Sequence, residues 1–441
     1  MKKVTVLFFL FIFAVCFGFF YCPVEKDIEY VNFLHLVPDT TVMSEPEKEQ
    51  KTNSQICKSE TIRVLLKNSD FTSVYHEQII FSCDTDILKV TAGRTEKLLK
   101  AQTYCLKLSE CKQGNIRLIP CGQGNMHFYN IKRKEDVNYQ GFFELFGEKE
   151  GIVLVNELPV ERYLLGVVAS EMPSSYPLEA LKAQAVVARS YAYYHMNQKA
   201  YPQYKADVDD STGFQVYQNV SGTKKTDSAV AQTENMVMVK ENQIQECMYY
   251  STSAGNCPQK EKTFQKYIIK GSQKDIEYEE GWYRWNCQVS ISWDTLKYRM
   301  LQFAGLSEKE MKVCKEAVRL KKISVSSRAE NGRVEEIELK TDAGKIHVAD
   351  QYIIRKLLAQ NGCSVLKKDG TVFLMGEILP SPFFFFEDVT VSKGQLWLTI
   401  NGGGFGHGSG MSQNGAKNLA LRGKDYEEIL DYYYDFEIRT G

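Results

Sequence analysis

Residues 160–173 read VERYLLGVVASEMP, and this stretch decides how the centre of the chain folds. Its apolar residues recur at the i, i+3, i+4, i+7 and i+8 spacing of one helix face. They are Val160, Tyr163, Leu164, Val167 and Val168. The next position on this face is Glu171, and Pro173 ends the helix because the residue before a proline avoids helical dihedral angles. The pattern therefore predicts a glutamate on the buried face, in the last helical turn.

A carboxyl group in that position is expected to hold its proton. Burial among apolar side chains disfavours the charged form, and so does the negative C-terminal end of a helix dipole. A carboxylic acid that stays partly protonated near neutral pH is the group that general-acid cleavage of a glycosidic bond requires. Glu171 is therefore a candidate catalytic acid.

A second helix is predicted immediately downstream, over residues 177–195, PLEALKAQAVVARSYAYYH. Pro177 suits the first helical position, and two apolar seams predict a helix that is enclosed on most sides. Lys182 and Arg189 lie seven residues apart and share one face. This cation pair favours a cleft that faces an anionic or hydroxyl-rich ligand. The alternative is an ordinary solvated helix edge.

Residues 401–434 form a third stretch, NGGGFGHGSGMSQNGAKNLALRGKDYEEILDYYY. Its glycines let a loop adopt dihedral angles that other residues avoid and let a ligand approach the backbone. Ser412 suits a helix N-cap and Gly423 a helix end, and amides at such a helix start bind oxyanions or hydroxyls. The loop has no GxxxxGK[ST] and no strict GxGxxG, so nucleotide binding has no support. His407 either stabilises the loop or lines a cleft.

The sequence resembles the stage II sporulation protein D family, which includes the amidase-enhancer proteins of bacterial cell walls. Two long blocks carry the resemblance in family order, residues 163–193 and residues 401–434. Weaker matches lie between them, at QVYQ (from Gln215), at STSAG (from Ser251), and at the spaced residues Thr226, Ala229, Val230 and Thr233.

The resemblance implies a peptidoglycan lytic transglycosylase that cleaves between N-acetylmuramic acid and N-acetylglucosamine. One carboxyl group suffices, because the sugar's own C6 hydroxyl is the nucleophile and the product is a 1,6-anhydromuramyl end. Glu171 would be the acid, and Lys182 and Arg189 would position the lactyl carboxylate. The remaining predicted site residues would bind sugar hydroxyls. They are Ser251, Ser253, His407, Ser412 and Gln413.

The resemblance also implies partners: glycan strands stripped of stem peptides, a cell-wall amidase, and membrane proteins of an engulfment complex. Two alternatives remain open, a non-catalytic amidase enhancer that binds wall glycan and a structural part of the engulfment machinery. The net charge of -1 provides no general electrostatic case for nucleic-acid binding, and no cofactor is expected.

No metal site is predicted. Some members of the family are reported to hold zinc with a histidine and cysteines, but Tyr250 stands at the histidine position here and the cysteine spacing differs. A disulfide involving Cys247, Cys257 or Cys287 is an equal candidate for those thiols. The run that begins at Asp207 imitates a calcium loop but lacks the required glycine and terminal glutamate.

The N-terminus suggests a cell-envelope protein. Lys2 and Lys3 precede an apolar run over residues 4–21, which is long enough for a single membrane helix with the lysines on the cytoplasmic side. The run ends in large aromatic residues, which disfavours signal cleavage. We therefore expect an uncleaved anchor in the cell membrane and an extracytoplasmic domain.

The predicted fold class is α+β, with a β-rich N-terminal lobe joined to a mixed catalytic lobe. The expected boundaries are an anchor (1–22), a polar linker (23–60), the β-rich region (61–157) and the catalytic core (158–441). Within the core we expect a helical stretch over 296–320, a hairpin at Asn331-Gly332, and a buried strand at 383–386.

Overall fold

The computed structural model describes residues 61–440, so the predicted anchor and linker lie outside the described residues. This part of the chain is of mixed α+β type, as predicted, with ten α-helices and several separate sheets among the described residues. Between residues 61 and 440, no helix has both the length and the apolar character needed to cross a membrane.

Residues 61–159 form nine strands and one short helix. In chain order they are β1 (Thr61–Leu66), β2 (Gln78–Cys83), β3 (Ile87–Thr91), β4 (Arg94–Leu98), β5 (Tyr104–Lys107), α1 (Leu108–Cys111), β6 (Ile116–Pro120), β7 (Met126–Phe128), β8 (Phe142–Gly147) and β9 (Ile152–Pro159). The strands β5-β2-β7 form one antiparallel sheet, and β1-β9-β8-β6-β3-β4 form a larger one. Alternating apolar residues such as those of IRLIP in β6 place one face of the larger sheet in the core.

Two helices follow the last of these strands directly. Helix α2 (Val160–Glu171) starts one residue after β9 ends, and helix α3 (Leu178–Met196) starts after Pro177. The apolar face predicted from the sequence is buried in α2, and α3 is buried along most of its length. Both helices are therefore confirmed, with Pro177 as N-cap rather than as the first helical residue.

The remaining elements run from β10 to the C-terminus. They are β10 (Val208–Asp209), α4 (Lys224–Gln232), β11 (Met236–Lys240), β12 (Gln243–Ile244), β13 (Tyr249–Tyr250), α5 (Glu261–Lys270), β14 (Trp285–Ser292), α6 (Trp293–Phe303), α7 (Glu308–Glu316), β15 (Leu320–Arg328), β16 (Val334–Thr341), β17 (Lys345–Ala349), α8 (Gln351–Leu358), β18 (Ser364–Lys367), β19 (Val372–Leu374), β20 (Phe384–Ser392), β21 (Gln395–Gly402), β22 (Met411–Ser412), α9 (Gln413–Leu421), α10 (Tyr426–Tyr433) and β23 (Glu437–Thr440).

One of the two large apolar cores surrounds α2 and α3, and the other surrounds the five-stranded sheet β19-β18-β14-β21-β20. Strand β10 adds to β1 in parallel, so a segment that follows the helices joins the N-terminal sheet. The buried ion pair between Arg133 and Asp210 closes this junction. The junction positions the residues after Asp210, which run toward Glu171.

Of three local predictions for the second half of the chain, the structure confirms two and contradicts one. The hairpin is confirmed, because β15 and β16 flank the Asn331-Gly332 turn and Gly332 adopts a φ of +84°. Strand β20 contains the buried Phe384 and Phe385, which confirms the buried strand. The continuous helix over 296–320 is wrong, since Ser307 caps a new helix and Leu320 starts β15.

Candidate active site

Glu171 is the last residue of α2, and its side chain is buried, with 6% of its surface exposed. Met172 adopts extended dihedral angles, as expected for the residue before Pro173. The carboxyl atom Oε1 accepts a hydrogen bond from the Val216 amide at 2.8 Å and from the Tyr249 hydroxyl at 3.2 Å. The position predicted for Glu171 is therefore confirmed.

A chain of buried side chains holds this carboxyl group in place. The Tyr163 hydroxyl donates to Gln215 Oε1 at 3.3 Å, and Gln215 Nε2 donates to the Tyr249 hydroxyl at 3.0 Å. Gln215 Nε2 also donates to the carbonyl of Ala188 on α3 at 3.2 Å. Because each member is fixed by the one before it, Tyr249 presents its proton to Glu171 in a defined orientation.

Burial and hydrogen bonding act on Glu171 in opposite directions. Removal from water favours the protonated carboxylic acid, whereas donors such as an amide and a hydroxyl stabilise the carboxylate. Both forms therefore have structural support, which suits a group that must give up a proton and take one back. The protonation of Glu171 near neutral pH stays a prediction.

The second of the two blocks that carry the family resemblance packs directly beside Glu171. Ser412 caps α9 as predicted, since its Oγ accepts from the Gly415 amide at 3.2 Å. The next residue, Gln413, donates its Nε2 to the backbone carbonyl of Glu171 at 3.1 Å. The structure therefore brings Glu171 and Gln413 together, although 242 residues separate them in the sequence.

Ser251 joins the same region through its backbone. Its carbonyl accepts from the Asn414 amide at 2.9 Å and from Ser412 Oγ at 3.2 Å, while its own hydroxyl bonds Thr252 Oγ1 at 3.1 Å. Ser253 is half-buried, and its Oγ accepts from the Gly255 amide at 2.9 Å. These contacts place Ser251 at the start of α9, and the binding of either serine to sugar hydroxyls stays a prediction.

The glycine-rich loop is packed against the protein. The amides of Gly403, Gly404 and Gly406 donate to the carbonyls of Phe383, Trp282 and Pro380. At Gly410, with a φ of +74°, a side chain would collide with the carbonyl of Met248. The sequence predicted that a ligand would come close to the backbone at these glycines. In the structure, other backbone segments occupy that position.

His407 ties this loop to the site. Its Nδ1 accepts from the Ser409 amide at 3.2 Å, so the ring proton lies on Nε2, which donates to the Tyr249 carbonyl at 2.9 Å. Burial lowers the pKa of His407 to about 4, which keeps the ring neutral. The geometry matches the loop-stabilising alternative for His407, and contact with a ligand stays a prediction.

The structure corrects the predicted role of Arg189. Its guanidinium is fully buried and donates to Glu161 in a bidentate pair, with Nε–Oε1 at 2.7 Å and Nη2–Oε2 at 2.8 Å. It also donates to the carbonyl of Met236 at 3.1 Å. A guanidinium that is already bound to a carboxylate inside the protein does not face a cleft, so the structure does not support a contact between Arg189 and substrate.

Lys182 is largely buried along its stem and stays close to its own helix. Its Nζ lies 2.7 Å from Glu179 Oε1 and 5.6 Å from the ring centre of Tyr426. The aromatic ring and the carboxylate both stabilise the ammonium group. Its predicted contact with substrate stays a prediction.

Glu277 is a buried acid that sequence reasoning missed. It is 4% exposed, and burial raises the pKa of its carboxyl group to about 7. It approaches the first turn of α9, where a side chain at Gly415 would collide with Glu277 Oε1 and the Tyr433 hydroxyl. No periodic pattern marks the segment around Glu277, so only the packed structure reveals its burial.

The segment around Tyr250 is the one in which the sequence departs from the zinc-binding pattern reported for some family members. Tyr250 is buried, with its ring centre 5.5 Å from that of His407, and burial raises the pKa of the Cys257 thiol to about 12. Among residues 61–440, no group of three or more His, Cys, Asp or Glu side chains is arranged to hold a metal ion.

Comparison with known proteins gives two family models that match overlapping parts of the chain. A family model described as SpoIID, stage II sporulation protein, matches residues 148–239, and a domain of unknown function (DUF8618) matches residues 223–410. Stage II sporulation protein D of Bacillus subtilis (strain 168) is 31% identical over 296 residues, which cover 64% of this chain and 74% of the relative. The chain belongs to the stage II sporulation protein D family.

Other relatives differ in how much of their length is matched. The amidase enhancer of Bacillus subtilis (strain 168) is 30% identical over 62% of this chain, and the match spans 39% of that longer protein. An uncharacterized protein of Brachyspira hyodysenteriae is 27% identical over 68% of this chain and 71% of its own length. Family membership supports a cell-wall role in sporulation and confirms the resemblance found in the sequence.

Proposed function

We propose that this protein is a peptidoglycan lytic transglycosylase that cuts glycan strands during sporulation, at engulfment. The observation that carries the proposal is Glu171, a buried carboxyl group at the end of α2 that is held by a backbone amide and a tyrosine hydroxyl. Gln413, from the second family block, binds the backbone of the same residue. This is the arrangement that a single acid–base carboxyl group requires.

The reaction needs only one carboxyl group. Glu171 donates its proton to the glycosidic oxygen as the bond from C1 of N-acetylmuramic acid breaks, and N-acetylglucosamine leaves with a free hydroxyl. The C6 hydroxyl of the muramyl residue then attacks C1, and its proton passes to the Glu171 carboxylate. This step closes the 1,6-anhydro ring and restores the acid. Glycosidases that use water as the nucleophile instead employ a second carboxyl group.

The donors around Glu171 have distinct parts in this cycle. The Val216 amide and the Tyr249 hydroxyl both donate to Oε1 of Glu171. After the proton leaves, both donors stabilise the carboxylate that forms. Lys182 and the hydroxyls of Ser251 and Ser253 are proposed to hold the sugars, whereas the Ser412 hydroxyl is fully buried and donates to the Ser251 carbonyl.

Partners and location follow from the same proposal. The substrates are strands stripped of stem peptides by an amidase, and membrane proteins of an engulfment complex are further partners. Residues 1–22 would anchor the chain in the cell membrane with the remainder outside the cytoplasm. The family assignment supports the cell-wall and sporulation part of this proposal.

The second candidate is an amidase enhancer without catalysis. One relative carries that name, and Tyr250 replaces the histidine expected at its position. Such a protein would bind glycan and stimulate a separate hydrolase.

The deciding experiment uses the full-length chain, purified in detergent, and glycan strands prepared by amidase treatment of cell walls. Mass spectrometry of the products should detect new 1,6-anhydromuramyl ends that increase with time. If no such ends form while an added amidase cleaves intact walls faster, the enhancer function is correct and the transglycosylase proposal fails.

A further inference from the structure

Two cysteines lie on one face of the five-stranded sheet, at neighbouring strands. Cys287 lies in β14, where it pairs with Val365 of β18 on one side and Ile400 of β21 on the other. Cys363 precedes Val365 by two residues. Residues two apart along a strand share a face, so Cys363 and Cys287 lie on the same side of the sheet.

The two cysteines are diagonal neighbours across β14 and β18. Cys363 Sγ lies 3.0 Å from the carbonyl of Gln288, the residue after Cys287. Both side chains are present as free thiols. Two cysteines on one face of adjacent strands can form a disulfide when the sheet adjusts to bring their sulfur atoms together.

The two cysteines differ in access. Cys287 is 3% exposed, whereas Cys363 is only half-buried at the start of β18. Their mutual hydrogen bond lowers the pKa of Cys363 to about 7 and raises the pKa of Cys287. The thiolate is the reactive form of cysteine, so Cys363 is expected to attack the oxidant first. Cys287 is expected to react second, with the mixed disulfide on Cys363.

We propose that Cys287 and Cys363 form an intrachain disulfide by exchange with a small organic disulfide such as oxidised glutathione. The Cys363 thiolate attacks one sulfur of the oxidant, forms a mixed disulfide, and releases one glutathione thiolate. Cys287 loses its proton and attacks Cys363 Sγ, which releases the second glutathione. Two thiols are oxidised and one disulfide of the oxidant is reduced to two thiols.

The bond ties the β18–β19 hairpin to β14. It joins residues 287 and 363, and a link that closes so long a loop restricts the unfolded chain far more than the folded one. Strand β14 also pairs with β21, which leads into the glycine-rich loop at Gly402. Oxidation is therefore expected to raise the resistance of this sheet to unfolding.

The test uses the full-length chain in detergent, reduced, desalted and then incubated with oxidised glutathione. The protein is unfolded in an alkylating reagent, digested and examined by mass spectrometry. The expected product is one peptide pair linked through Cys287 and Cys363, with a higher midpoint of urea unfolding that reverts on reduction. Failure of both residues to react, or glutathione retained on Cys363 with Cys287 still alkylated, would overturn the proposal.

Variants separate the two steps. Cys287→Ser should trap the mixed disulfide, with glutathione on Cys363, because the second thiol is missing. Cys363→Ser should leave Cys287 reduced, because the buried thiol does not reach the oxidant. Cys314→Ser, a change at another buried cysteine of the same core, should form the linked pair as the unchanged protein does. If Cys287→Ser fails to fold, the linked peptide in the unchanged protein still decides the question.

Discussion

Helices α2 and α3 each bury a charged side chain, and they differ in what receives the charge. Arg189 on α3 is met by a carboxylate, in a bidentate pair with Glu161. Glu171 on α2 is met by an amide and a hydroxyl, which are neutral donors. A charge that is paired with its opposite holds the fold together, whereas we propose that a buried carboxyl group that accepts from neutral donors can give up a proton and take it back.

The largest expected effect is a loss of stability when the ion pair of Arg189 on α3 is broken. Arg189→Ala leaves Glu161 without its partner, and breaking a buried ion pair costs roughly 3–5 kcal/mol of the free energy of unfolding. Urea unfolding of the purified chain measures this loss. Lys182→Ala is the control, because an ion pair within one helix contributes at most about 1 kcal/mol. Unchanged stability together with lost glycan binding would restore the ligand-binding role of Arg189.

The next largest effect is a loss of glycan cleavage when Glu171 on α2 is changed. Glu171→Gln keeps the shape of the side chain and an oxygen for both donors, so the fold should be retained. Without a transferable proton, glycan cleavage should fall by a factor of about 100 or more. The rate of release of 1,6-anhydromuramyl ends measures it, and Glu161→Gln is the matched change that should instead reduce stability. Release at the normal rate from Glu171→Gln would disprove the mechanism.

A smaller effect is expected at the tyrosine that orients Glu171. Tyr249→Phe removes the hydroxyl that donates to Glu171 and accepts from Gln215. Loss of about 1 kcal/mol from one hydrogen bond predicts a fall in kcat of roughly fivefold, with KM unchanged. Tyr217→Phe is the control, because its hydroxyl donates to Asn156 at 2.9 Å instead. Equal effects from both changes would mean that Tyr249 acts only through general stability.

The smallest net effect is on the pH dependence of stability, because the contributions of two buried groups, Glu277 and His407, change with pH in opposite directions. The folded-state pKa of Glu277 is raised from 4.5 to about 7, so its contribution to stability is complete below pH 4.5 and is lost as the pH rises to about 7. The folded-state pKa of His407 is lowered from 6.5 to about 4, so its contribution is complete above pH 6.5 and is lost as the pH falls to about 4.

Between about pH 4.5 and 6.5 these contributions partly cancel in the unchanged protein. Glu277→Gln should therefore give a free energy of unfolding that rises with pH in this range, and His407→Gln one that falls. Urea unfolding at several pH values measures both slopes. Equal slopes for the two variants would show that neither group titrates as its burial indicates.

Local spacing was sufficient for several predictions and insufficient for others. The burial of Glu171 follows from helix periodicity and Pro173, and the caps at Ser412 and the hairpin at Gly332 follow from residue chemistry. The continuous helix over 296–320 failed because Ser307 and Gly305 break it, with φ of +57° at Gly305. Arg189 was assigned to the wrong partner because periodicity gives a helix face but not what covers that face.

The sequence by itself determined the elements whose signal lies within a few residues: the two helices, the position of Glu171, and the two blocks that identify the family. The tertiary structure alone decided the groups that meet there, including the Gln215–Tyr249 contact with Glu171, the approach of Gln413, and the burial of Glu277. The physical reason is the distance along the chain between the residues that interact. Helix periodicity and capping depend on neighbours along the chain, whereas these hydrogen bonds join residues tens to hundreds of positions apart, and only packing of the whole core sets their geometry.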